Sequence, residues 1–152
     1  MSAQHVARRI KAPRSAVYRA LLDPRAVAAW RVPDGMTSQV HAFEPREGGS
    51  FRISLTYEAP TARGKTEART DTYRGKFVKL VPDQMVVESL AFETAVPEFA
   101  GQMTVTTTLA DADGGTEVSL TFDGLPPGIR PADNELGTRM ALAKLAALVE
   151  AG

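Results

Sequence analysis

The chain has 152 residues, with 43% hydrophobic and 24% charged side chains, 12 glycines, 10 prolines and no cysteine. That balance fits one globular domain able to bury roughly 68–70% of its unfolded surface, and it excludes collagen-like, disulfide-stapled and low-complexity classes. Eighteen Lys and Arg offset eighteen Asp and Glu, so overall charge does not favour phosphate neutralisation and nucleic acid is not an expected partner.

Without cysteine there is no zinc thiolate, iron–sulfur cluster or thiol nucleophile. The opening residues carry His5, Arg8, Arg9 and Lys11 where a signal peptide needs an apolar stretch of about 7–15 residues. No uncharged run approaches the ~20 residues of a membrane helix. The expectation is an unexported, cytoplasmic protein without a membrane partner.

Residues 4–11 alternate loosely around Val6 and Ile10 and predict a short strand ended by Pro13. Pro13 suits a helix start, and Ala16, Val17, Ala20 and Leu21 fall at helical spacing as far as Asp23-Pro24. A second short helix restarts at Pro24, carries Val27, Ala28 and Trp30, and stops before Pro33-Asp34-Gly35.

From Met36 to Phe122 the period changes to two, with turns at Glu47-Gly48-Gly49, Ala59 to Lys65, Val81-Pro82-Asp83, Val96-Pro97-Glu98 and Asp111 to Gly115. This is the pattern of an antiparallel meander, here of six strands. Phe51, Ile53, Leu55 and Tyr57 share one strand face, and a one-residue slip would expose all four. Met103, Val105, Thr107 and Leu109 repeat the alternation, as do Val118, Leu120 and Phe122.

One long helix, from about Ala132 to Glu150, is predicted to cover the apolar face with a stripe of Ala141, Leu142, Leu145, Leu148 and Val149. The predicted class is α+β, in the order β-α-α-β6-α, with a curved antiparallel sheet wrapped around a long C-terminal helix.

That order resembles the helix-grip fold of the SRPBCC, or START-like, superfamily. The closer resemblance is to single-domain bacterial relatives of the heat-shock-protein-90 ATPase activator. It is carried by Pro13, Val17, Tyr18, Leu21 and Trp30, by residues 43–51 around Gly48-Gly49, by Tyr73-Arg74-Gly75-Lys76-Phe77, by residues 103–107 and by Gly115-Thr116-Glu117-Val118. In that group the last helix commonly begins Gly-Trp, whereas this chain has Gly137-Thr138. Eukaryotic activators carry a further N-terminal domain that makes much of the chaperone contact, and none is predicted in these 152 residues.

The resemblance implies an apolar cavity holding a small hydrophobic molecule. Trp30, Phe43, Phe51, Ile53 and Tyr57 are placed to line it, as are Tyr73, Phe92, Met103, Val105, Phe122 and Met140. The alternative is that the same side chains simply fill a core. Tyr57 and Tyr73 add a hydroxyl that seeks a partner when buried.

Glu88 shares a face with Val86, Leu90 and Phe92, and would be a desolvated acid or base if that face points inward. The opposite register, which is preferred, puts it in water. His41 shares a strand face with Gln39 and Phe43 and would enter the hollow with Phe43, where it would be the best single candidate for proton transfer, although a solvated or hydrogen-bonded structural histidine is the preferred reading.

Arg63, Lys65 and Arg69 are read as a solvated hairpin, Gly114-Gly115 as a turn rather than a calcium loop, and residues 130–135 as one rim of the pocket. No phosphate-binding, dinucleotide-binding, metalloprotease or serine-hydrolase motif is present. No metal or other cofactor is expected. The functions in contention are a non-catalytic binding module for a small hydrophobic or amphipathic molecule, a stress-related co-chaperone, and a cyclase- or dehydratase-like enzyme. The chain is compatible with a monomer or a homodimer.

Overall fold

The structure, a computed structural model, describes residues 3–58 and 70–151. The predicted turn from Ala59 to Lys65 and the cations Arg63, Lys65 and Arg69 lie outside these residues.

Strand β1 (Gln4–Ile10) buries Val6 and Ile10, as their spacing requires. Pro13 then occupies the N-cap of helix α1 (Arg14–Leu21), where a missing N–H removes no helical bond. Helix α2 (Pro24–Trp30) is capped by Asp23, whose carboxylate accepts from the Arg25 N–H at 3.0 Å, with Pro24 at its first position. The two helices bury Val17, Ala20 and Leu21, and Val27 and Trp30.

Six strands follow: β2 (Met36–Phe43), β3 (Ser50–Tyr57), β4 (Thr70–Val81), β5 (Met85–Phe92), β6 (Met103–Ala112) and β7 (Gly115–Asp123). A short 3₁₀ turn, Pro97–Phe99, stands where the Val96-Pro97-Glu98 break is predicted. The sheet is antiparallel in the order β1-β7-β6-β5-β4-β3-β2. Six consecutive strands thus form a meander, and β1 returns to its far edge, from Gln4 opposite Phe122 to Ile10 opposite Thr116.

The expected inward faces of β3, β6 and β7 are found, with Phe51, Ile53, Met103, Val105, Leu109 and Val118 buried. Register shifts fall between Val40 and Ala42 and between Phe77 and Lys79. Such bulges bend and further twist the strands that carry them. Gly75 sits where β4 crosses Phe51, and a Cβ there would collide with the Ser89 carbonyl oxygen and the Phe51 ring. A residue without a side chain is therefore required at this point of β4.

Helix α3 (Pro131–Glu150) packs against β1, α1 and α2. Its buried positions are Thr138, Ala141, Leu142, Leu145 and Ala146. The predicted stripe is corrected in one place, because Leu148 is 41% exposed and Ala146 lies inward instead. At 100° per residue Leu148 is well off the line through Leu142 and Leu145, whereas Ala146 is four residues from Leu142. No helix of the described residues is long and apolar enough to cross a membrane.

Candidate functional site

The hollow between sheet and α3 divides into a filled end and an open end. At the filled end Phe77 packs edge-on against Phe43 and tilted against Phe51, with ring centroids 5.4 and 5.2 Å apart, and Ile53 is fully buried. The aromatic series continues from Phe51 to Tyr73 and on to Phe92, each step 6.3 Å. At Tyr73 the packing opens into a cavity of about 410 Å³, within the range of roughly 300–1,000 Å³ usual for small-molecule sites.

Nine of the expected lining residues meet there. Trp30 comes from α2, Tyr57 from β3, Tyr73 from β4, Glu88 and Phe92 from β5, and Met103 and Val105 from β6. Phe122 of β7 and Met140 of α3 complete the set. The Trp30 indole N–H already donates to the Ala20 carbonyl at 3.1 Å, so that residue offers the cavity only its ring.

Phe43, Phe51 and Ile53 do not line the cavity and belong to the filled end. His41, a lining candidate only if it followed Phe43 inward, stays outside the cavity, in line with the preferred reading. The bulge after Val40 changes the parity of β2, so Phe43 turns inward opposite Phe51 while His41 stays on the outer face. There its Nε2 lies 2.7 Å from Ser54 Oγ, which in turn lies 2.7 Å from Thr72 Oγ1.

The preferred register for Glu88 is also overturned, because the Val86–Glu88–Leu90 face of β5 points inward. Glu88 is not a lone carboxylate, however. Arg31, at the C-cap of α2, reaches across the hollow and donates from Nη1 and Nη2 to its two oxygens at 2.8 and 2.9 Å. Only 6% of the Glu88 side chain and 21% of Arg31 are exposed. The guanidinium lies 5.5 Å from the Tyr73 ring centroid and 5.8 Å from that of Phe51, where both faces attract a cation.

Burial works against the Arg31 charge, but the attraction and hydrogen bonds of Glu88 outweigh it and hold the group above its ordinary range. Burial likewise raises the Tyr73 phenol, with Arg31 pulling it partly back. Arg31 is the functional residue that sequence reading missed. A single Arg between Trp30 and Pro33 belongs to no periodic pattern, and its only signal is the opposite charge of Glu88.

The mouth lies between the segment joining α2 to β2 and the first half of α3. Lys144 Nζ donates to the Val32 carbonyl at 2.6 Å and pairs with Asp34 Oδ1 at 3.1 Å. The Asp34 N–H rests on Met140 Sδ at 3.4 Å. Thr138 of α3 lines the cavity.

Side chains thus make the contacts from α3 that hold this strap. We expect Lys144→Met to increase amide hydrogen exchange at residues 32–36 severalfold while global stability changes by less than ~1 kcal/mol, as for other partly exposed pairs. Exchange mass spectrometry on the intact protein checks it.

Among the described residues no three His, Asp or Glu side chains gather to hold a metal ion. The family of Activator of Hsp90 ATPase homolog 1-like proteins matches residues 11–150. This chain belongs to that family. A protein of Chromobacterium violaceum has the same fold at 32% identity, with a TM-score of 0.88 over 97% of this chain and 96% of that one.

A Rhodobacter sphaeroides protein matches at 22% identity and TM-score 0.81, over 99% of this chain and 93% of its own. An AHSA1-like protein of Aeromonas hydrophila matches at 20% and 0.73, over 99% and 93%. These last two show the fold alone. No curated protein matches the sequence. The Activator of Hsp90 ATPase homolog 1-like fold accounts for the grip of sheet on helix, and the superfamily resemblance read from the sequence agrees with it.

Proposed function

We propose that this protein binds a small hydrophobic or amphipathic molecule, without transforming it, in the cavity between the sheet and α3. The observation that supports this reading is the unfilled volume of about 410 Å³ walled mainly by apolar side chains, with the Arg31–Glu88 pair in the wall. A filled core would close such a space, because interiors pack to the density of organic crystals. Proton-transfer chemistry has less support, since Glu88 is committed to Arg31 and His41 lies on the outer face.

Native mass spectrometry should show an excess mass that disappears on denaturation. N-phenyl-1-naphthylamine at about 100 times its Kd should raise Tm by roughly 5–10 °C, from ~2.7 kcal/mol of stabilisation. Thr138→Trp, which places an indole in the lining, should weaken both effects. A wild-type protein with no excess mass, no shift across a hydrophobic panel and no difference from the Trp variant would overturn the reading.

Family membership favours a second reading, in which the protein acts on a chaperone through its surface. Stimulation of a chaperone ATPase, unchanged by Thr138→Trp, would establish that reading; absence of binding and of any rate change would remove it.

A further inference from the structure

The Arg31–Glu88 pair sits in the cavity wall with its charges already matched, and that arrangement limits what the cavity accepts. We infer that the cavity selects neutral molecules carrying one group that both donates and accepts a hydrogen bond, such as a hydroxyl or a primary amide, and rejects carboxylates. This inference rests on the binding reading above.

Consider first a carboxylate brought to this wall. Arg31 is the only cation in the lining among the described residues, and the other charged groups there, Asp71, Asp34 and Asp133, are acidic. Asp34 is engaged by Lys144 at the mouth, and neither aspartate on the rim supplies a positive charge. Tyr57 and Tyr73 bring hydroxyls to the lining but no cation.

A second carboxylate must therefore either displace Glu88 from Arg31 or lie beside it. The first course leaves a side chain that is only 6% exposed as an unpaired buried anion. The second places two like charges within a few ångströms in a medium of low polarity. Either course is relieved by taking up a proton, on the ligand or on Glu88, so the acid binds with a proton and its affinity falls as pH rises.

A hydroxyl meets no such barrier. Each Nη of Arg31 gives one hydrogen bond to Glu88, and the guanidinium keeps further N–H donors, while each carboxylate oxygen keeps a free lone pair. One neutral group can accept from the first and donate to the second without disturbing the pair. The apolar body then lies against Phe92, Met103, Val105 and Phe122.

The test is a matched series, 1-decanol, decanamide and decanoate, each displacing N-phenyl-1-naphthylamine from the intact protein between about pH 5.5 and pH 8. Decanol and decanamide should compete with pH-independent affinity. Decanoate should be at least ~100-fold weaker at pH 8 and should recover about tenfold per pH unit on acidification.

Glu88→Gln releases the Arg31 charge while keeping the shape. It should strengthen decanoate at pH 8 by at least ~10-fold and raise the decanoate-to-decanol affinity ratio by a similar factor. Decanoate equal to decanol at pH 8 in the wild type would overturn the inference while leaving cavity binding intact. So would a decanoate-to-decanol ratio that Glu88→Gln leaves unchanged. If the probe itself fails to bind the wild type, the cavity reading is what fails.

Discussion

Arg31→Met is expected to destabilise the protein by about 3 kcal/mol, lowering Tm by roughly 6–12 °C. Removing one partner of a buried pair typically costs about 3–5 kcal/mol, and the lower figure applies because a fifth of the Arg31 side chain reaches solvent. The loss comes from Glu88, left as a buried carboxylate with neither its charge partner nor two of its hydrogen bonds.

The variant's stability should also acquire a marked pH dependence. A lone buried carboxylate has its folded-state pKa raised above the unfolded value of about 4.3. The folded chain then holds the proton more tightly than the unfolded chain. Below about pH 4 both states are protonated and the deficit is smallest; it grows as pH rises and levels off above the raised folded pKa. Urea unfolding at a series of pH values measures this directly. Arg31→Met combined with Glu88→Leu should recover most of the loss and abolish the pH dependence, since a buried pair replaced by apolar groups of similar size is often neutral.

The second large effect is expected from Leu142→Ala. Leu142 is fully buried at the centre of α3 and faces the sheet. Truncation of such a residue costs about 2–5 kcal/mol, part from lost transfer energy and part from the void left behind. We expect about 3 kcal/mol, read as a lower urea midpoint at unchanged m-value. Because Leu142 also borders the cavity, the void should merge with it, and a saturating apolar probe should restore part of the loss. Leu148→Ala, six residues further along α3 but exposed, should change stability by no more than about 0.5 kcal/mol.

How far these features are legible in the sequence depends on whether a repeating pattern carries them. The inward face of β3 is unambiguous because apolar and polar residues alternate without exception from Ser50 to Tyr57. The direction of Glu88 is not, because β5 is apolar on both faces: Val86, Leu90 and Phe92 oppose Met85, Val87 and Ala91. Only the pairing with β4 and β6 decides it. His41 and Phe43 share a face under strict alternation, and one bulge separates them. No residue between Val40 and Ala42 announces that bulge. Arg31 is the extreme case, since its role exists only once α2 has been laid over β5.

The sheet order has a further consequence, for timing. β1 pairs with β7 alone, so Gln4 waits for Phe122 before its ladder can form. During synthesis the meander from β2 to β6 can assemble as it emerges, while β1 remains without its partner until nearly the whole sheet has been made. The last helix then ties the same edge again, where Gln4 Nε2 donates to the Pro131 carbonyl and the Lys11 N–H to Glu150. Contacts so distant along the chain close slowly. A ribosome stalled after β6 would therefore display β1 and the open flank of β6 as two unsatisfied strand edges, the state in which this chain is most exposed to misassociation.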